Sequence, residues 1–484
     1  MKEACGVFGV YAPGRGVAQL TFDGLYALQH RGQESAGMAV GDGEAITVVK
    51  DMGLVTTVFD ERTVSCLPGH LAIGHTRYST TGASTWRNAQ PVYRAAAGAG
   101  FALGHNGNLT NTAELAARAG MLPGVVASDS DLVAELLAGA SAFAGDPAEP
   151  RPHALEEAVA EVLPLLAGAF SFVMLDASHL LGVRDPKGLR PLCLGRLGKD
   201  EDPEGWVLAS ETPALDIVGA DFVRELEPGE LVVIDEDGVR TRQLFSEAQV
   251  DPRLCIFEFV YFARPDSRLY GREVHGARRR MGELLATQAP VDADLVMGVP
   301  ESGVPAAEGF ARASGIPYGQ GLVKNRYIGR TFITPDQTAR AEGVRRKLNP
   351  LRDNIDGKRI VVVDDSIVRG TTQRAVVRML REAGARQVHL RISSPPLMWP
   401  CFYGIDIPSH EELIAAQSSI PQIEEYLGVD SLAYLSLDNL VAAIDAPGAG
   451  FCTACLTGVY PVPVPAAQAD AGAAAPSPPD TARA

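Results

Sequence analysis

Residues 360–372 read Ile-Val-Val-Val-Asp-Asp-Ser-Ile-Val-Arg-Gly-Thr-Thr. A β-branched apolar run stops at two adjacent carboxylates, a short turn containing Gly370 follows, and a helical pattern then begins. The run 360–363 has the composition of a strand buried on both faces. Over 373–383 the spacing predicts a helix with Ala375, Val376, Met379, Leu380 and Ala383 on one face. Gly384 suits its C-terminal cap. Two carboxylates, hydroxyls and a helix N-terminus therefore meet at the carboxyl end of a parallel strand. Open α/β sheets bind ligands there, and helix N-termini favour phosphate. Asp-Asp alone carries a blander reading, a strand ending in acidic residues with Thr371 as a helix cap.

The full string resembles the phosphoribosyl pyrophosphate (PRPP) loop of type I phosphoribosyltransferases. The resemblance implies that Asp364 and Asp365 hold one Mg²⁺ and the ribose hydroxyls. Ser366, Ile367, Val368, Arg369, Gly370, Thr371 and Thr372 would hold the 5-phosphate through backbone groups and the Thr hydroxyls. Upstream, 295–299 reads as a short apolar strand closed by Pro300-Glu-Ser-Gly303, a second junction able to offer N–H groups to phosphate. In related transferases this loop handles the pyrophosphate, and Ser302 would reach the Mg²⁺. Such a metal takes one or two carboxylates plus substrate phosphates. Between the two loops, 324–347 carries seven basic residues against two acidic ones. It reads as a mobile lid over an anionic sugar phosphate, with Lys324 contacting PRPP. A solvated basic face or an RNA-binding patch is the plainer account.

The chain of 484 residues has room for two or three domains, with 46% hydrophobic and 21% charged residues. A formal net charge of -16 argues against general nucleic-acid binding. The longest apolar candidate, 163–175, already contains Gly168 and Ser171, so no membrane span is expected. Four residues before Cys5 leave no room for a secretory signal. Seven cysteines do not form a secreted disulfide framework, and a reducing cytoplasm is expected.

The chain opens Met1-Lys-Glu-Ala-Cys-Gly-Val-Phe-Gly-Val10, a cysteine entering a short apolar strand. An isolated cysteine is more often a small buried thiol. Three further segments bear on it. Residues 28–37 read Leu-Gln-His-Arg-Gly-Gln-Glu-Ser-Ala-Gly, 73–82 read Ile-Gly-His-Thr-Arg-Tyr-Ser-Thr-Thr-Gly, and 103–109 read Leu-Gly-His-Asn-Gly-Asn-Leu. Each alone could be a polar turn. In this order behind Cys5 they resemble the class II glutamine amidotransferase domain, a member of the N-terminal nucleophile hydrolases. That implies an αββα sandwich joined to the doubly wound parallel sheet of the transferase half.

The resemblance assigns Cys5 as the nucleophile on the glutamine amide, with an α-amino group of ordinary pKa about 8 as its base. Residues 1–4 would then be a propeptide, or the start is misplaced. Asn106 and the Gly107 N–H would form the oxyanion hole. Arg77 would grip the glutamine α-carboxylate and Asp129 its α-ammonium, with Arg31 and Gly32 bordering the pocket. Residues 129–144 have helical spacing, and 145–152 read as a Pro-rich surface loop. Residues 169–175, 206–209 and 230–234 read as strands. The loop 184–191 is also familiar from this family but has no chemical role of its own to read. Cys66 and Cys193 lie outside every motif.

A polar stretch over 240–251 reads as the domain boundary. Aromatic, strand-like residues follow from Cys255, and 274–289 read as a helix. Cys255, Cys401, Cys452 and Cys455 remain, the last pair spaced Cys-Thr-Ala-Cys. Four thiols fit either a tetrahedral zinc or a [4Fe-4S] cluster, and spacing does not choose. The contexts Trp399-Pro-Cys-Phe-Tyr-Gly-Ile-Asp406 and Phe451-Cys-Thr-Ala-Cys-Leu-Thr-Gly-Val-Tyr-Pro461 resemble the iron–sulfur, propeptide-bearing subclass of glutamine PRPP amidotransferases. That implies one cluster per subunit acting as a structural clamp. It also implies ammonia channelling from Cys5 to PRPP at the opening of purine synthesis, inhibition by purine nucleotides, and a homotetramer. The expected divisions are 1–4, 5–240, 251–445, a cluster-binding 446–462, and a disordered tail over 463–484. Two other readings share parts of the chain: another class II amidotransferase such as a glucosamine-phosphate synthase, and a catalytically dead PRPP sensor. The first lacks a use for 361–372, the second for Cys5, Arg77, Asn106 and Asp129.

Overall fold

The computed structural model describes residues 5–78, 84–96, 99–121, 126–144, 151, 153–325, 346–405, 407 and 409–464. Arg359–Asp364 is the strand expected from the opening motif, and it lies inside a four-stranded parallel sheet. Leu295–Gly298 pairs with one edge of it and Gln387–Ile392 with the other, and Ser431–Tyr434 lies beyond. The β-branched run is buried because helices cover both faces.

Thr371–Glu382 is the helix that follows, entered through Gly370 at a φ of +74°, a conformation that favours glycine. Its buried residues are Val376, Val377, Met379 and Leu380, with Ala383 just beyond. Val377 is covered, where the spacing favoured Ala375, because the helix Ile420–Leu427 packs along that flank. On the opposite face, Val274–Gln288 and Val304–Ser314 cross at backbone contact. A Cβ on Gly282 would lie 1.8 Å from the Ala306 carbonyl oxygen, and one on Gly309 would lie 1.9 Å from that of Arg279. This crossing fixes the second helix, whose N-terminus follows the Pro300–Gly303 loop.

The first half stacks two antiparallel sheets between helices. A seven-stranded sheet carries Gly6–Tyr11 near its centre, between Leu71–Arg77 and Asp202–Ala209. A six-stranded sheet carries Ala99–Leu109 against Gly168–Leu175. Val7, Ala39, Ile73, Ala102, Val173 and Val232 fill the space between the sheets. Val17–Ala27 and Pro213–Val218 cover the outside of one sheet, Asp129–Ala138 and Ala154–Val162 that of the other. This is the expected αββα order.

Several local expectations are corrected. The aromatic run after Cys255 is not a strand. Only Leu254–Cys255 pairs, in parallel with Phe451–Cys452, and Glu258–Phe262 forms a wide π-helical turn. The run is buried nearly all round, so it lacks the alternation a half-buried strand needs. Residues 103–109 are not a turn but the end of the long strand Ala99–Leu109. The polar stretch from 240 begins inside a strand, because Gly238–Gln243 forms the sheet edge. Being an edge, it is polar on its exposed side. The helix from Asp129 stops at Ala138 and a short 3₁₀ turn, Ser141–Phe143, follows.

The C-terminal segment is ordered further than its composition suggests. Val462 is buried, and its carbonyl and N–H both bond to the Tyr403 hydroxyl, at 2.6 and 3.1 Å. Pro463 accepts from Thr110 Oγ1 at 3.1 Å. The rest of the expected tail, residues 1–4, the loop 145–150 and most of the lid (326–345) lie outside the described residues.

Helix propensity alone would make Gly309→Ala stabilising by about 0.5–1 kcal/mol. The crossing predicts the opposite sign, a loss of about 1–3 kcal/mol from overpacking, read as a lower urea midpoint.

Candidate active site

Cys5 sits immediately before the central strand of the first sheet. It is 8% exposed, its Sγ lies 3.4 Å from the Tyr78 carbonyl, and its own carbonyl accepts from Arg31 Nε at 3.0 Å. Burial pushes the thiol above its ordinary value, while Arg77 and Arg31 pull the other way and Asp129 adds to the rise. The thiol is therefore within electrostatic reach of three residues expected to surround glutamine.

Asn106 is fully buried, and both its side-chain polar atoms lack a hydrogen-bond partner. Buried amides are rarely left so, and an exception calls for an explanation such as a ligand. Gly107 beside it has a φ of +152°, and a Cβ there would lie 2.0 Å from the Ala169 carbonyl oxygen. Only glycine fits at this point of the strand.

A polar frame that the sequence did not reveal holds this strand. Gln90 Oε1 accepts from His105 N at 2.7 Å, and Gln90 Nε2 donates to Ser130 Oγ at 3.0 Å. His105 Nδ1 lies 3.1 Å from that same hydroxyl and 3.6 Å from Asp129 Oδ2. Asp129 Oδ2 accepts from Leu109 N at 3.1 Å. The strand bearing Asn106 and the residue expected to hold the ammonium are thus tied together. His75 Nε2–H donates to the His105 carbonyl, 2.9 Å away, and burial lowers its pKa to about 3, so it stays neutral. His75 and His105 stood inside quoted motifs, whereas Gln90 and Ser130 had no local signal.

Arg77 is buried at the end of its strand. Gly32 packs against it, since a Cβ on Gly32 would lie 2.6 Å from Arg77 N. Arg31 borders Cys5, whose carbonyl its Nε holds, and it also reaches away from the thiol. Its guanidinium is fully buried, pairing with Glu211 and, at 2.8 and 3.0 Å, with both oxygens of Glu258. Burial opposes its charge, yet Glu258 and Glu211 hold it charged far above its ordinary value. Glu258 belongs to the second half of the chain, so this ion cluster bridges the two halves. Arg190, from the loop left without a role, reaches the same Glu258 oxygen at 3.3 Å. Asp131 pairs with Arg94 on the flank of the sandwich.

In the second half Asp364 and Asp365 end their strand together. Ser302 Oγ donates to Asp365 Oδ1 at 2.6 Å, which brings the two loops into contact. Burial and the charge of Asp365 push the Asp364 carboxyl well up. Two buried carboxylates in this state are a fit for a divalent cation, which would relieve the repulsion. Gln373, another residue not anticipated, donates to Asp364 Oδ2 at 3.1 Å and to the Ser366 carbonyl at 3.0 Å. It thereby orients the carboxylate from the first turn of the helix. Ile367 points into the core and Val368 is half-buried, so these two serve the loop through backbone groups. Arg369 pairs with Glu412. Gly370 caps the helix, and Thr371 and Thr372 are its first residues. Lys324 Nζ pairs with Glu301 at 3.1 Å, at the rim of the Pro300–Gly303 loop.

The four cysteines come together although three of the segments bearing them are distant in sequence. Cys255 and Cys452 are register partners in the parallel pair, and the Cys455 carbonyl accepts from Met398 and Trp399 N–H, just before Cys401. Burial pushes the Cys455 thiol well up, and Cys255, Cys401 and Cys452 beside it add to the rise. The Cys255 thiol is raised to about 12 by burial first. The Tyr403 N–H points at Cys401 Sγ, 3.5 Å away. Among the described residues no three His, Cys, Asp or Glu side chains are grouped to hold one metal ion. A four-iron cube has a different requirement, because each thiolate binds a separate iron. None of the four is in a disulfide.

A cysteine leading into the central strand of an αββα sandwich, joined to a parallel sheet with paired carboxylates, defines a class II glutamine amidotransferase fused to a type I phosphoribosyltransferase. Residues 75–216 match the glutamine amidotransferase domain family and 272–393 the phosphoribosyl transferase domain family. The chain is 56% identical over 474 residues to the amidophosphoribosyltransferase of Mycobacterium tuberculosis, covering 95% of this chain and 87% of that one. It is 44% identical to the Bacillus subtilis amidophosphoribosyltransferase, over 95% and 94% of the two chains. The solved structure of the B. subtilis glutamine PRPP amidotransferase complexed with ADP and GMP superposes with a TM-score of 0.85 at 43% identity, over 96% and 98%. The chain belongs to the amidophosphoribosyltransferase family, which carries out the first committed step of purine biosynthesis from glutamine and PRPP.

The raised Cys5 thiol has a consequence for a chain that keeps residues 1–4. Below its pKa the thiolate fraction grows about tenfold per pH unit. Iodoacetamide alkylation of Cys5 in that form is expected to accelerate by nearly this factor between pH 7 and 8, and again between 8 and 9, as followed by mass spectrometry.

Proposed function

We propose that the two sites work as a relay. Once residues 1–4 are removed, the Cys5 amino group accepts the thiol proton and Sγ attacks the glutamine side-chain carbonyl. Asn106 Nδ2 and the Gly107 N–H stabilise the oxyanion, a contribution of about 10²–10³ in rate for one such donor. Arg77 orients the α-carboxylate and Asp129 the α-ammonium. Ammonia leaves, and water releases glutamate from Sγ. The ammonia passes through the interior to the anomeric carbon of PRPP, and diphosphate departs as 5-phosphoribosylamine forms.

At the second site Asp364 and Asp365, with Ser302, would hold Mg²⁺, which when bound neutralises the departing diphosphate. The residues themselves do the rest. Asp364 is oriented by Gln373, the carboxylates steady the ribose hydroxyls and the developing positive charge, and backbone groups of 366–372 at the helix N-terminus hold the 5-phosphate. Lys324 stands at the diphosphate end. The observation that carries this reading is the buried amide of Asn106, fully unpartnered in a chain whose other half ends a strand in paired carboxylates.

Cys255, Cys401, Cys452 and Cys455 would hold a [4Fe-4S] cluster, which supplies a cross-link between the start of the second half and the end of the chain. The gathering of four reduced thiols, with Arg190 close enough to Cys255 and Cys401 to favour their anionic forms, supports it. Purine nucleotides inhibit the enzyme in this reading, in line with the ADP and GMP of the B. subtilis complex. The assembly is a homotetramer, and the location is the cytoplasm. No helix among the described residues is long and apolar enough to cross a membrane.

Cys5→Ala is expected to abolish PRPP-dependent glutamate release while ammonia-dependent phosphoribosylamine formation survives. Loss of both rates in that variant would break the two-site division. Native and denaturing mass spectrometry of anaerobically purified enzyme should show a chain beginning at Cys5 and the added mass of four irons and four sulfides. A colourless, iron-free and fully active preparation would refute the cluster.

A further inference from the structure

Residues 401–404, in the second half of the chain, lie directly behind the oxyanion strand of the first. Asn108 Nδ2 donates to the Phe402 carbonyl at 2.8 Å. Gly404 has a φ of +96°, and a Cβ there would lie 3.0 Å from both the carbonyl carbon and oxygen of Gly107. The two backbones therefore touch at the residue whose N–H is read as an oxyanion donor.

The same loop is connected to the nucleophile. Arg190 Nε and Nη2 hold the Tyr403 carbonyl at 3.2 and 2.7 Å, and Arg190 Nη1 reaches Glu258. Glu258 is gripped by Arg31, and Arg31 Nε holds the Cys5 carbonyl. Arg31, Arg190 and Glu258 are each at most 1% exposed, so water does not interrupt this path. From behind, the Tyr403 hydroxyl is fixed to Val462. One loop thus contacts the oxyanion strand directly and the nucleophile through three buried charges.

We propose that loop 401–404 positions the glutaminase site, setting the separation between the oxyanion donors and Cys5, with Asn108, Gly404 and Glu258 as positioning residues. This rests on the reading of Asn106 and Gly107 as the oxyanion hole. It needs no statement about what Cys401 binds. A displacement of about 1 Å at a reacting centre can cost about 10²-fold in rate. Among the described residues no hydrogen bond joins this loop to the Asp364 or Asp365 side chains, so the second site is spared.

The test compares Asn108→Ala and Gly404→Ala with the unaltered chain and with Asn106→Ala. Asn108→Ala is expected to lower kcat for glutamine hydrolysis by about tenfold and Gly404→Ala by about 10²-fold. KM for glutamine should stay within about twofold, since the grip on the α-groups is untouched. Ammonia-dependent phosphoribosylamine formation and the iodoacetamide alkylation rate of Cys5 should be unchanged. An unchanged kcat in Asn108→Ala and Gly404→Ala, or equal losses in both half-reactions, overturns the proposal. Should Gly404→Ala fail to fold, Asn108→Ala decides alone. If Asn106→Ala also leaves kcat unchanged, the oxyanion reading itself falls; if Asn106→Ala is impaired and the other two are not, only the positioning role falls.

Discussion

The buried ion cluster of Arg31, Glu211, Glu258 and Arg190 is the constraint on which the two-part architecture depends. Two guanidinium groups and two carboxylates sit out of water at the junction of the halves. Such groups are tolerable only when paired, and removing one partner leaves an uncompensated charge, at about 3–5 kcal/mol. Burial opposes the Glu211 charge, but His30 and Arg31 hold its carboxyl well below the ordinary carboxylate range. Its contribution is therefore present above the unfolded value of about 4.3 and fades as pH falls toward the folded one. The halves are joined by groups that neither could bury alone. Arg31 would have no full set of partners in the sandwich, and Glu258 would have none in the parallel sheet.

The two reacting centres use opposite electrostatic devices. The strand bearing Asn106 is held mainly by neutral groups: Gln90, Ser130 and a neutral His75 fix it while one amide remains unpaired. Preorganised donors of this kind act without rearranging at the moment of reaction. At Asp364 and Asp365 the site instead concentrates like charge, with Gln373 and Ser302 as the modest counterweights. A site of that kind is completed by what binds to it.

Much of this was legible in the chain. Residues 360–372 announced strand, carboxylates and helix because β-branched and helical periodicities meet there without ambiguity. Cys5, Asn106 and Asp129 are readable as a set only through the resemblance of the motifs that carry them. The aromatic run after Cys255 misled because an all-buried segment has no alternation, and its shape is set by where Glu258 must point. Gln90, Ser130, Gln373 and Arg190 were silent because each acts on a residue brought near only by folding, and a lone Gln or Ser has no spacing to betray it. Arg31 is readable at the pocket only through the resemblance of segment 28–37, which says nothing of its ion partners. Its partner Glu258 lies 227 positions away in sequence.

The parallel pairing of Leu254–Cys255 with Phe451–Cys452 makes the chain return, at its end, to the point where its second half began. Residues 462 and 463 then run on to Tyr403 and Thr110, at the end of the strand bearing Asn106. A chain is made from its N-terminus, and domains fold in that order. The contacts of Val462 and Pro463 thus form only after both halves of the chain have been made. A nascent first half therefore carries Cys5 and Asn106 without the contacts that Phe402, Gly404 and Pro463 make with Asn108, Gly107 and Thr110.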